Sequence, residues 1–253
     1  TYSAAVGDDP ASEMIMARLA GEGLDTDYLH RSPGLTDRTT VFVMHDAQNA
    51  IATSVAKARM LGFSDIRALV EVAAPDDVLL MQGNLLQATT VTAAAAARAR
   101  GVTVVLNPSP ITWDYTELWP DTDIVVLNQD ECTTLSGARD AVAGARRLIE
   151  RGAGAIVITQ GARDVLLVEA AGVSSVSVPT VTAVDTTGAG DTFCGVFVAA
   201  IAAGMPKLDA ITRAVAAAAI SVTRPGAISS IPSREELADL AARPTSTIAG
   251  TGS

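Results

Sequence analysis

Positive charge is scarce in this chain: 18 lysines and arginines stand against 28 acidic residues, for a formal net charge of −10. Binding nucleic acid needs a basic face, so that class of partner is set aside. Aromatics are few as well (2 Trp, 3 Tyr and 4 Phe), which removes the usual base-stacking platforms. There are two cysteines, Cys132 and Cys194, and two histidines, His30 and His45, so no Cys/His zinc constellation can be assembled. Buried free thiols are the expectation. The apolar stretch Thr192–Pro206 is shorter than the ~18 residues that cross a bilayer, and it contains glycines. The first residues lack the basic and hydrophobic pattern of a signal peptide; a soluble cytoplasmic protein with no membrane partner is expected.

What the chain does have is apolar substance: 49% of its 253 residues are hydrophobic and 18% are charged, enough to bury a large core. Short, continuous, β-branched runs occur at Asp77–Gln82, Val102–Leu106, Ile124–Leu127, Ala155–Thr159 and Val165–Val168, as in strands covered on both faces. Helical patterns fill Ala88–Arg100, Ala138–Arg151, Asp191–Ala203 and Leu208–Val222. This alternation predicts a mostly parallel sheet with helices on its faces. Residues 26–53 break the rhythm: strand-like Thr39–Met44 and Ala50–Thr53 alternate with turn residues and no helix, which reads as an antiparallel lid. Residues 243–253 are small and polar, a flexible tail. The whole, 1–253, reads as one domain.

The chemistry is concentrated in Asp185-Thr186-Thr187-Gly188-Ala189-Gly190-Asp191-Thr192-Phe193. Strand-like Ser175–Val181 precedes it and an apolar helix follows. Consecutive small residues let several backbone N–H groups converge, and a helix start adds partial positive charge, so the turn suits an anion such as a phosphoryl group. A lone Asp191 would read as a helix cap. Two acids, two threonines and two glycines within seven residues point instead to a site, in which Asp191 accepts a proton from a hydroxyl attacking a γ-phosphorus.

In this run the chain resembles the PfkB-type carbohydrate kinases, and within them the ribokinases; the similarity extends over about Tyr2–Leu240. The resemblance implies a three-layer α/β/α fold with a mostly parallel central sheet and a small β lid. It implies Asp191 as catalytic base, touching the sugar, and Gly188, Ala189 and Gly190 as an anion hole. Asn128-Gln129-Asp130-Glu131 resembles an Asn-x-x-Glu element, with Asn128 and Glu131 tied to magnesium. Thr159, Gln160, Gly161, Ala162, Arg163 and Asp164 resemble the nucleotide loop, with Asp164 in place of a glycine. Asp185, Thr187, Ser221, Arg224, Gly226 and Ser230 resemble a potassium-binding region. ATP, Mg2+ and K+ are the implied cofactors, a small sugar the substrate, and pairing of Thr39–Met44 between subunits a route to a homodimer.

Three departures accompany these matches. No Gly-Gly pair occurs anywhere, so the family's Gly-Gly-x-x-x-Asn stretch, with its first strand and helix, has no counterpart. Asn84 stands where ribokinases carry a glutamate near the sugar, and Val215 where an asparagine or histidine often lines the adenine pocket. Two other readings stay open: a non-catalytic nucleotide-binding relative, and a dinucleotide-binding oxidoreductase. The oxidoreductase reading is weak, because Phe193 occupies the place of the third glycine in its fingerprint.

Overall fold

The computed structural model describes residues 1–43 and 49–242. In chain order the elements are β1 (Ala4–Val6), α1 (Pro10–Gly21), β2 (Leu29–Arg31), β3 (Thr39–Val43), β4 (Asn49–Thr53), α2 (Phe63–Val72), β5 (Val78–Gln82), α3 (Gln87–Arg98), β6 (Thr103–Asn107), β7 (Ile124–Asn128), α4 (Gln129–Ser136), α5 (Ala141–Glu150), β8 (Ala155–Gln160), β9 (Arg163–Glu169), β10 (Gly172–Val176), α6 (Ala189–Ala202), α7 (Lys207–Ser221) and α8 (Arg234–Ala242). The proposed tail, 243–253, and Met44 at the end of the first lid strand lie outside the described residues.

A six-stranded mixed sheet, ordered β10-β9-β8-β7-β6-β5, forms the centre. Its β5–β8 half is parallel, while β9 and β10 return as antiparallel hairpins. Alternation along each strand sends side chains to opposite faces. Val104, Leu106, Val125, Leu127, Ile156 and Ile158 enter one core with α3, α5 and Trp119. Val105, Val126, Val157, Val165 and Leu167 enter a second core beneath α6 and α7, with Phe193, Phe197 and Ile211. Both faces are therefore covered, which is why these runs are continuously apolar.

Several sequence expectations change. Residues 29–31 are not part of the lid: β2 pairs in parallel with β1, making a two-stranded sheet separate from the central one. Only β3 and β4 form the expected antiparallel hairpin. The strand read at Ser175–Val181 is β10, which starts at Gly172 and ends at Val176, before Pro179. Helices α1, α2, α4 and α8 are additions to the sequence reading. Helix α1 is set by local chemistry, with Asp9 Oδ1 accepting from Ser12 N at 3.2 Å and Pro10 preorganised at its start. Both cysteines are free and buried, as expected. Burial pushes the Cys132 thiol up to about 11; burial and then the Asp191 charge push Cys194 up to about 12, so neither is a reactive thiolate near neutrality. Among the described residues no helix is long and apolar enough to cross a membrane.

Among the described residues strand β5 closes the sheet at one side, with β6 as its one paired neighbour. Its sequence Val-Leu-Leu-Met-Gln is that of a central strand, with no lysine, proline or bulge to blunt an edge, and Leu80 is 39% exposed.

Candidate active site

The parallel strands all point one way, and the helices between them return. A cleft of about 550 Å3 brings the starts of β6, β7 and β8 (Thr103, Ile124, Ala155) together with Ile201, Gly204 and Met205 at the end of α6. Helix α6 therefore begins at the opposite rim, where β5, β6 and β7 deliver Gln82, Asn107 and Asn128. The chemistry-bearing residues lie at that rim, the usual ligand edge of an open α/β sheet.

Gly188 is the N-cap of α6 and adopts a left-handed backbone, φ 78°. An added Cβ there would meet Ala227 Cα at 3.2 Å and Cβ at 3.3 Å, so glycine is required for both the turn and the close approach. No side chain caps this helix. Ala189 N donates to Thr186 O at 3.2 Å, and the start of α6 presents the dipole's positive end with no side-chain cap on it. Asp191 follows in the first turn, its carboxylate accessible at the surface. Desolvation by the surrounding protein still raises its pKa above the ordinary aspartate value. It makes no ion pair among the described residues.

The approach loop is tied to the loop after α7 by one carboxylate. Asp185 accepts from Thr187 N at 2.9 Å and from Gly226 N at 2.9 Å. Val222 O receives the N–H groups of Val184 and Asp185 at 2.7 and 3.2 Å. Hydrogen bonding from Thr187, then from Gly226, lowers the Asp185 pKa, so it stays ionised across the physiological range. The structure thus unites Asp185, Thr187, Gly188 and Gly226.

A family model for pfkB family carbohydrate kinases matches residues 1–234. The chain belongs to that family. It is a carbohydrate kinase of the ribokinase-like fold. It is 33% identical over 241 residues to the ribokinase of Haemophilus influenzae, spanning 93% of this chain and 79% of that protein. To the deoxyribokinase of Salmonella typhi it is 29% identical over 238 residues, 91% and 78% of the two lengths. The solved ribokinase of Thermotoga maritima superposes with a TM-score of 0.84 at 30% identity, covering 94% of this chain and 80% of that one. The ribokinase of Arabidopsis thaliana, complexed with ribose and ATP, has a TM-score of 0.83 at 24% identity over 96% and 81% of the chains, a likeness of fold.

In this pfkB-family kinase a second cleft, about 210 Å3, is lined by Asn128, Gln129, Asp130, Thr159, Gln160, Gly161 and Arg163, most of the residues expected to form a nucleotide loop. Gln129 and Asp130 were not singled out from the sequence; the signal was their place inside the quoted Asn128–Glu131 run. Arg163 bonds to Gln129, and Gln160 Nε2 donates to Asp164 O at 2.7 Å across the β8–β9 turn. Gly161 takes φ 65° in that turn; Ala162 and Asp164 are exposed.

Other expected positions are engaged elsewhere. Asn128 and Glu131 form a reciprocal cap on α4: Asn128 Oδ1 accepts from Glu131 N and Glu131 Oε2 from Asn128 N, each at 2.8 Å. No cluster of three or more His, Cys, Asp or Glu suited to a metal occurs among the described residues. Val215, expected at the nucleotide, is 5% exposed and packs in the core under α6 and α7 with Phe197 and Ile211. Ser221 donates to Ala218 O and Ser230 to Ala227 O, while Arg224 pairs with Glu236. Asn84 is half-buried just beyond β5.

Proposed function

We propose that this kinase moves the γ-phosphoryl of ATP to a hydroxyl of a small sugar, with ribose the first candidate because its curated relatives are named ribokinases and deoxyribokinase. The observation that carries the reading is the uncapped start of α6, with glycine-bounded amides and an accessible, unpaired Asp191 in one turn. Asp191 takes the proton of the attacking hydroxyl; its raised pKa brings its basicity closer to that of a working general base. The amides of Gly188, Ala189 and Gly190 stabilise charge on the transferring group. The cleft at Asn128, Thr159, Gln160, Gly161 and Arg163 holds the nucleotide, with Ala162 and Asp164 at its rim. Asn84 contacts the sugar.

Magnesium, when bound, neutralises the phosphate charge. With Asn128 and one oxygen of Glu131 committed to the α4 cap, the second Glu131 oxygen is what this element would offer the ion. Potassium, if bound, would sit near the ionised Asp185 bridge, with Thr187, Ser221, Arg224, Gly226 and Ser230 as the residues that would surround it.

A second reading, nucleotide binding without turnover, is motivated by the sequence, which has no Gly-Gly-x-x-x-Asn stretch and carries Asn84 where ribokinases have a glutamate. An ADP-coupled assay over a panel of pentoses and hexoses, with calorimetry of ATP–Mg2+, separates the two. The kinase reading expects sugar-dependent ADP release; Asp191→Asn cuts kcat by ~10²–10⁴-fold and leaves ATP affinity unchanged. Nucleotide binding without any sugar-dependent turnover overturns it, as does a wild-type kcat in Asp191→Asn.

A further inference from the structure

The segment between β6 and the turn at Trp119 carries a set of interactions that the transfer chemistry does not use. Thr112 Oγ1 donates to Gly83 O at 3.0 Å, and Trp113 Nε1 donates to Leu85 O at 3.1 Å. Those two carbonyls belong to the residues on either side of Asn84. From the same segment Ser109 O accepts Gly83 N at 3.2 Å. Gly83 is buried so closely here that a Cβ would meet Pro110 O at 2.2 Å and the Tyr115 hydroxyl oxygen at 2.5 Å. Trp113 is itself held flat against Tyr115, ring centroids 3.8 Å apart and planes 19° apart, and Tyr115 stacks on Trp119 at 5.7 Å. Tyr115 and Trp119 are each 1% exposed, so the stack is anchored in the core. The Asn84 amide, by contrast, makes no hydrogen bond among the described residues.

A flexible side chain on a mobile loop reads a ligand poorly; one whose backbone is immobilised on both sides is preorganised. We infer that Thr112 and Trp113 are positioning residues that clamp the backbone on both sides of Asn84 and thereby set how tightly, and how selectively, this kinase binds its sugar. The inference rests on the sugar-kinase reading above and adds the residues that tune specificity. The amide of Asn84 can both donate to and accept from a sugar hydroxyl. Discrimination between ribose and 2-deoxyribose is the property the clamp controls if the missing hydroxyl is the one read.

The test uses the full chain, with ribose and 2-deoxyribose as probes, in steady-state kinetics and in calorimetry without nucleotide. Trp113→Phe keeps a ring in the stack and removes the N–H donor; Thr112→Val removes the hydroxyl at nearly constant volume. Each variant is expected to raise the KM and Kd for ribose about 3–10-fold, the scale of one lost hydrogen bond. The KM for ATP stays unchanged and kcat remains within about twofold. In an Asn84→Ala background neither change has a further effect on ribose, because the clamp then has nothing to position. A purely structural role would instead lower Tm, alter ATP and sugar parameters together, and add to Asn84→Ala. Folded Thr112→Val and Trp113→Phe enzymes with wild-type affinity for both sugars overturn the inference while the kinase reading stands. So does an effect that persists undiminished in the Asn84→Ala background. A wild-type protein that neither binds nor phosphorylates any pentose or hexose overturns the kinase reading, and the clamp's proposed role falls with it.

Discussion

Gly190 and Gly188 are two positions apart, yet alanine should act on them in opposite ways. Gly190 is the second residue of α6, its backbone lies outside the left-handed region, and an added Cβ meets no atom within 4 Å. Alanine in a helix is better than glycine by about 0.5–1 kcal/mol, which for a chain of this size raises Tm by about 1–4 °C. Gly188 has φ 78° and would bring its Cβ to 3.2–3.4 Å from three Ala227 atoms. A left-handed alanine costs about 1–2 kcal/mol before that crowding is relieved, so Gly188→Ala should lower Tm by about 2–8 °C. If the open side of Gly190 is where the phosphoryl group sits, a methyl there displaces it from the amides. Both variants should then lose about 10²–10³-fold in kcat, the scale of one lost oxyanion donor. Differential scanning fluorimetry alongside the ADP-coupled assay reads both quantities. The stabilised variant is the decisive one, because its loss of activity cannot come from unfolding. A Gly190→Ala enzyme with a higher Tm and an undiminished kcat would refute the placement of the anion.

Two further outcomes follow from the carboxylates. Asp185→Ala should leave Thr187 N and Gly226 N without their acceptor, so hydrogen exchange at those two amides should speed up and Tm should fall, with exchange in β6 and β7 unchanged. Asp9 accepts from Thr36 Oγ1 at 2.5 Å, from Ser12 N and from Arg38, and Thr36 above all holds its pKa near 2. A depressed aspartate contributes stability above its unfolded pKa and loses it as pH falls. Tm measured between pH 4 and pH 2 should therefore drop less in Asp9→Asn than in the wild type.

Much of this was legible along the chain. The runs at 78–82, 102–106, 124–127 and 155–159 are short, β-branched and continuous, and burial on both faces of one sheet is what makes such runs favourable. The turn at 185–193 stands out because a glycine-bounded helix start with acids on either side is a local pattern, although the strand before it ends at Val176 and does not reach it. The Asn128–Glu131 element shows the limit. Resemblance tied Asn128 and Glu131 to magnesium, and the structure has both side chains in a reciprocal cap that uses one of the two Glu131 carboxylate oxygens.

What the amino-acid order determined by itself is therefore everything that depends on neighbours a few positions away: the strands, the long helices, the cysteines' burial and the glycine-rich turn that opens α6. Tertiary structure alone decided which distant segments meet. It paired β2 with β1, gave Val215 to the core, joined Asp185 to Gly226, and set Thr112 and Trp113 on the carbonyls flanking Asn84. Each of these is a contact between residues about 20 or more positions apart, or a choice between helix faces that are both apolar in sequence. Local propensity is blind to such choices, because their free energy arises only when the layers close on one another.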